Sequence, residues 1–124
     1  MKKIIIVDDN RDLTRAVKRR LEKMDDNYDV ACADGGKDCF NLLKDGQKPD
    51  LILLDIMMPE MDGWNVAAEL KKNPEWKSIP IVFLTAKTDS SSKTYGRIVS
   101  ADYIEKPFEI DDLKRRIDKK IMRK

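Results

Sequence analysis

The chain has 124 residues, 39% charged and 41% hydrophobic, with a net charge of +2. Those values suit one globular domain over residues 1–124. They exclude a disordered chain, and the charge is too near balance to call by itself for nucleic acid or anionic lipid. There is no histidine, which removes an imidazole base, histidine-held zinc or iron, and any internal phosphohistidine.

Met1-Lys2-Lys3 leads into only four apolar residues, Ile4–Val7, before Asp8. That run is too short for a signal-peptide core or a membrane span, and its lack of alternation predicts a strand buried on both faces. Next, Leu13, Ala16, Val17, Leu21 and Met24 share one helical face, with Asn10 placed to cap it. A weaker strand is predicted at Tyr28–Ala33. Cys39, Phe40, Leu42 and Leu43 mark a second helix that Gly46 stops. Leu51–Leu54 is the next buried strand. Val66, Ala67 and Leu70 define a helix ended by Asn73-Pro74, and Ile79–Leu84 a further strand. The polar, serine-rich stretch from Thr88 to Val99 is the poorest helix of the set. A strand stub at Tyr103–Ile104 and a helix carrying Ile110, Leu113, Ile117 and Ile121 complete the pattern.

Five strands alternating with five helices imply an α/β fold, a parallel sheet with right-handed crossovers and helices on both faces. Every strand then points its carboxyl end to one edge, where such sheets bind ligands. The residues just past each run therefore share that edge. Asp8 and Asp9 come after the first run, Asp55 after the third, Thr85 after the fourth, and Lys106 stands two residues after Ile104. The topology gathers three carboxylates, a hydroxyl and an ammonium in one place.

Three clustered carboxylates cannot all stay ionised without a compensating cation. Hard oxygen donors favour Mg²⁺ or Mn²⁺ over zinc or copper. Beside such a cation, an aspartate carboxylate becomes a reasonable nucleophile towards phosphorus. Lys106 and the Thr85 hydroxyl could meet charge on a transferred phosphoryl group.

The motifs Val7-Asp8-Asp9-Asn10, Leu53-Leu54-Asp55-Ile56-Met57-Met58-Pro59-Glu60-Met61-Asp62-Gly63, Leu84-Thr85-Ala86 and Asp102-Tyr103-Ile104-Glu105-Lys106-Pro107-Phe108 resemble those of the response-regulator receiver domains of two-component signalling, in order and along the whole chain. The resemblance implies a doubly wound, flavodoxin-like five-stranded sheet of order 2-1-3-4-5. It implies Asp55 as phosphoacceptor, and Asp8, Asp9, Asp55 and the Met57 backbone carbonyl as Mg²⁺ ligands. Thr85 would bond the phosphoryl group, Lys106 would pair with it, Tyr103 would be the aromatic switch, and Lys106-Pro107 would be cis. A histidine kinase or a small donor such as acetyl phosphate would supply the phosphoryl group. The chain would be a switch acting on a protein partner, not an enzyme with a separate substrate. Ser100-Ala101-Asp102-Tyr103 departs from the family pattern by one residue fewer before the lysine.

Blander readings stand beside these. Taken alone, Asp8 and Asp9 suit a helix N-terminus, Thr85 a strand end, and Tyr103 a packed strand aromatic. Met57, Met58 and Met61 read as loop and packing residues, and Trp64 and Trp76 as helix-edge packing. The seven basic residues from Lys114 to Lys124 sit behind a docking stripe and read as a solvated face, so direct nucleic-acid binding is not expected. Cys32 and Cys39 match no metal or redox spacing; they read as buried, reduced thiols of a cytoplasmic protein. An aspartyl phosphohydrolase would need an acid where Met57 stands. A flavodoxin-like nucleotide binder would need a phosphate loop where Asp8-Asp9-Asn10-Arg11 stands. A receiver used as an unphosphorylated docking module remains open.

Overall fold

A computed structural model describes residues 1–86 and 102–122. In chain order the elements are β1 (Lys2–Val7), α1 (Arg11–Met24), β2 (Tyr28–Ala33), α2 (Gly36–Lys44), β3 (Leu51–Asp55), α3 (Gly63–Lys72), β4 (Ile81–Ala86), β5 (Tyr103–Lys106) and α4 (Ile110–Met122). The strands form one parallel sheet of order β2-β1-β3-β4-β5, the doubly wound topology that the sequence implies. Four helices lie among the described residues; the helix expected over Thr88–Val99 falls outside them. No helix of the described residues is long and apolar enough to cross a membrane.

The period-2 geometry of strands divides the core between the two faces of the sheet. Ile4, Ile6, Leu51 and Leu53 pack with Val17 and Leu21 of α1 and Leu113 and Ile117 of α4. Ile5, Val7, Ile52 and Leu54 pack on the other face with Cys39 and Leu43 of α2 and Val66 and Leu70 of α3. Ile4 to Val7 and Leu51 to Leu54 are all 0% exposed, which is why these runs show no alternation.

Local signals start and stop the helices, the Asn10 cap and the Gly46 stop as the sequence suggests and the Asp62 cap in addition. The Asn10 side chain accepts from the Leu13 N–H at 3.1 Å, and Asp62 does the same for Asn65 at 2.9 Å. Gly46, at φ 100°, reverses the chain after α2 while its N–H donates to the Leu43 carbonyl. Strand limits differ more from the expected ones. β4 begins at Ile81 rather than Ile79, because Ile52 is the first β3 residue paired with it, opposite Ile81. β4 and β5 then pair through Ala86 and Lys106, so Thr85 and Lys106 belong to strands instead of coming after them.

At the amino-terminal edge, residues far apart in sequence are tied together. Asp118 of α4 accepts from the Tyr28 hydroxyl at 2.5 Å, Lys2 at 2.9 Å and Lys114 at 2.8 Å. Both ammonium groups lie 5.4 Å from the centre of the Tyr28 ring, close enough for cation–π attraction. The tryptophans pack at helix edges as expected: Trp64 against Phe83, with ring centres 4.3 Å apart, and Trp76 stacked on Phe40. Cys39 is buried, but Cys32 is only half-buried, because it sits on the edge strand.

Candidate functional site

The buried acids stand where apolar runs end. The 0%-exposed residues of β1 deliver Asp8 to the carboxyl edge with 1% exposure, and β3 delivers Asp55 with 4%. Asp8 is held from both sides. Its own N–H donates to the Ala33 carbonyl at 3.1 Å, and its Oδ1 accepts from the Asn10 N–H at 2.9 Å. The Lys106 Nζ, carried in by β5, donates to Asp8 Oδ2 at 2.6 Å and to Asp55 Oδ1 at 3.3 Å. Asp8, Asp9 and Asp55 each offer a carboxylate oxygen within 4.8 Å of the others. Asp9 is the exposed member.

The electrostatics reflect that crowding. Burial and the Asp8 carboxylate push Asp55 up to about 6, against the pull of Lys106. Burial disfavours the charged form of Lys106, but bonds to Asp8 and the charge of Asp55 outweigh it and raise its pKa. Among the described residues, one ammonium bonds two of the three acids, and the surplus negative charge and all-oxygen donor set fit a small hard divalent cation.

Thr85 is buried at 3% exposure. It stands one residue beyond Leu84, the β4 partner of Asp55, and its hydroxyl donates to the Ala86 carbonyl at 3.3 Å. Tyr103 lies apart from this group, 37% exposed on β5, with its carbonyl accepting from Arg116 at 2.8 Å. The Met57 side chain is 61% exposed, whereas Met58 is buried and Met61 packs against the core. The Lys106–Pro107 bond is cis.

One positioning residue closes the Leu53–Gly63 motif without a role that the sequence assigns it. Gly63 donates its N–H to the Ile56 carbonyl at 2.8 Å, and a Cβ there would lie 2.3 Å from the Asp55 carbonyl oxygen. The signal available is Asp62-Gly63 at the start of an apolar helical pattern, which marks a cap but not a close approach.

Fold and site together define a doubly wound α/β domain with an acidic pocket at the carboxyl edge of its sheet. Residues 4–118 match the response regulator receiver domain model, and the chain belongs to that family, the receivers of two-component signalling. Solved structures agree. The receiver domain of Francisella response regulator 1452 is 28% identical with a TM-score of 0.80, the match covering 99% of this chain and 98% of that one. A CheY-like receiver domain protein from Methanospirillum hungatei is 37% identical with a TM-score of 0.76, covering 98% and 92%. The signal receiver domain of a histidine kinase from Syntrophus aciditrophicus is 29% identical with a TM-score of 0.85, covering 98% and 91%.

Proposed function

We propose that residues 1–124 act as one cytoplasmic phosphoacceptor switch, in which Asp55 takes a phosphoryl group from a histidine kinase or a small phosphodonor. An Asp55 oxygen attacks phosphorus, the new O–P bond forms, and the bond from phosphorus to the donor breaks with its electrons leaving on the donor. The observation that carries this reading is the contact of Lys106 with both Asp8 and Asp55 inside the three-acid cluster.

Asp8, Asp9, Asp55 and the Met57 carbonyl would hold Mg²⁺, with Mn²⁺ a fair substitute. When bound, that cation neutralises the cluster and withdraws charge from phosphoryl oxygens. The chain's own groups do the rest. Asp8 is fixed by the Asn10 N–H and keeps Lys106 at the mouth of the pocket. Lys106 then pairs with the arriving phosphoryl group, and the Thr85 hydroxyl turns from the Ala86 carbonyl to bond it. That turn vacates space for Tyr103 to move inward, shifting a two-state surface that includes β5 and α4. A groove of about 660 Å³ between β5 and α4, lined in part by Ile104, Phe108, Arg115 and Arg116, suits a protein partner. The domain promotes its own phosphorylation and dephosphorylation and turns over no separate substrate.

Incubation with acetyl phosphate and Mg²⁺, then intact-mass measurement, tests the assignment. One phosphoryl adduct is expected, lost in Asp55→Asn and on chelation of the metal. An adduct that persists in Asp55→Asn refutes the role of Asp55.

A further inference from the structure

The sheet has two edges, and β2 is one of them. Its sequence, Tyr28-Asp29-Val30-Ala31-Cys32-Ala33, contains no proline and one charge, and that charge is engaged by Lys3 at 3.0 Å. Such an apolar edge is the kind that pairs with strands of other chains. In a strand, alternate residues turn their N–H and C=O to opposite sides, so Val30 presents both groups away from β1. Both are already taken. The Val30 N–H donates to Glu22 Oε2 at 2.8 Å, and its carbonyl accepts from the Lys18 Nζ at 2.6 Å. Lys18 and Glu22 are themselves paired at 2.8 Å. Two side chains one turn apart on α1 thus close a ring with a single backbone position of β2 and imitate the strand that is missing.

At the neighbouring outward position the Tyr28 N–H donates to the Asp25 carbonyl at 3.0 Å. The order of the pair also matters. Lys preceding Glu by four residues is the less favourable arrangement for a helix by itself, so stabilising α1 does not account for it. Burial raises the Glu22 pKa, but Lys18 and the Val30 N–H outweigh it and keep the carboxylate ionised.

We propose that Lys18 and Glu22 form a guard on the β2 edge, preventing it from pairing with the same edge of a second copy of this chain. Removing them converts the edge into a homotypic docking surface. The guard depends on the edge contacts alone and is independent of phosphorylation.

The test compares the wild type with Lys18→Ala/Glu22→Ala, without phosphodonor, by sedimentation equilibrium and by hydrogen exchange at the Val30 amide. In the wild type, Val30 protection should not depend on protein concentration. In the double variant it should exchange at least ~10-fold faster when dilute and slow again as the protein is concentrated and associates. Lys18→Met, which keeps the aliphatic stem against β2 and uncovers only the carbonyl, guards against a folding failure and should associate more weakly. Variants that stay monomeric when concentrated overturn the proposal. So does association that leaves the Val30 amide unprotected.

Discussion

Burial and the neighbouring Asp8 hold Asp55 at about 6 against an ordinary 3.8, so above that pH the folded chain carries a charge its surroundings resist. Between the two values the folded state binds more protons than the unfolded one. Stability therefore falls as pH rises through this window, and the full penalty, on the order of 2–3 kcal/mol, is felt above about pH 6. Asp55→Asn should raise the metal-free unfolding free energy at neutral pH by that order, and the denaturation midpoint with it. Mg²⁺ should raise the midpoint of the wild type more than that of the variant; equal shifts would remove Asp55 from the cation site. Gly63 acts on the same residue through space. A methyl group 2.3 Å from the Asp55 carbonyl and 2.9 Å from the Ile56 Cα meets backbone that cannot swing aside. Gly63→Ala should cost about 1–3 kcal/mol and slow adduct formation even in protein that folds. Unchanged adduct rates would mean that the loop after β3 relaxes without moving Asp55. Asp8 and Asp55 were legible because each ends an apolar run, and Lys106 because it stands two residues past the Tyr103–Ile104 stub. Gly63 was not, because its close contact is with backbone seven and eight residues earlier, and no periodicity encodes that.

The elements themselves were legible where burial is complete. The 0%-exposed runs of β1 and β3 show as unbroken apolar tetrapeptides, and α1 and α4 show as stripes. Edges were harder to read, because pairing with a neighbour, not side-chain pattern, decides where β4 and β5 stop. How α4 is attached was invisible: Asp118 reaches Tyr28 across 90 residues. Its pKa reflects that attachment. Burial alone would raise it, but bonds from Lys114, Tyr28 and Lys2 outweigh burial and hold it below the ordinary value. The contribution is therefore complete above the ordinary, unfolded-state value of 3.8 and is lost as pH falls through the lower folded-state value. Asp118→Asn should cost about 1–2 kcal/mol at pH 7. In urea titrations from pH 7 to pH 2, the gap between variant and wild type should close only at the acid end; a gap independent of pH would show that packing, not charge, anchors α4.

At the scale of the whole molecule, the strand order came from resemblance, since nothing in the apolar runs distinguishes 2-1-3-4-5 from another parallel order. Once that order holds, the acids of β1 and β3 become neighbours and Lys106, from the far strand, leans back over them. The opposite end of the sheet has a different use. Lys2 and Asp118 are in contact at 2.9 Å, so the first strand and the last helix begin and finish side by side. A glycine-serine bridge of about six residues, spanning roughly 12–15 Å on average, would join residue 122 to residue 1. The ring could then be reopened between Gln47 and Lys48, in the segment joining α2 to β3. Such a circular permutant should still form the Asp55 adduct, and one that folds yet fails to form it would mean that the order of synthesis, not the finished arrangement, sets the pocket.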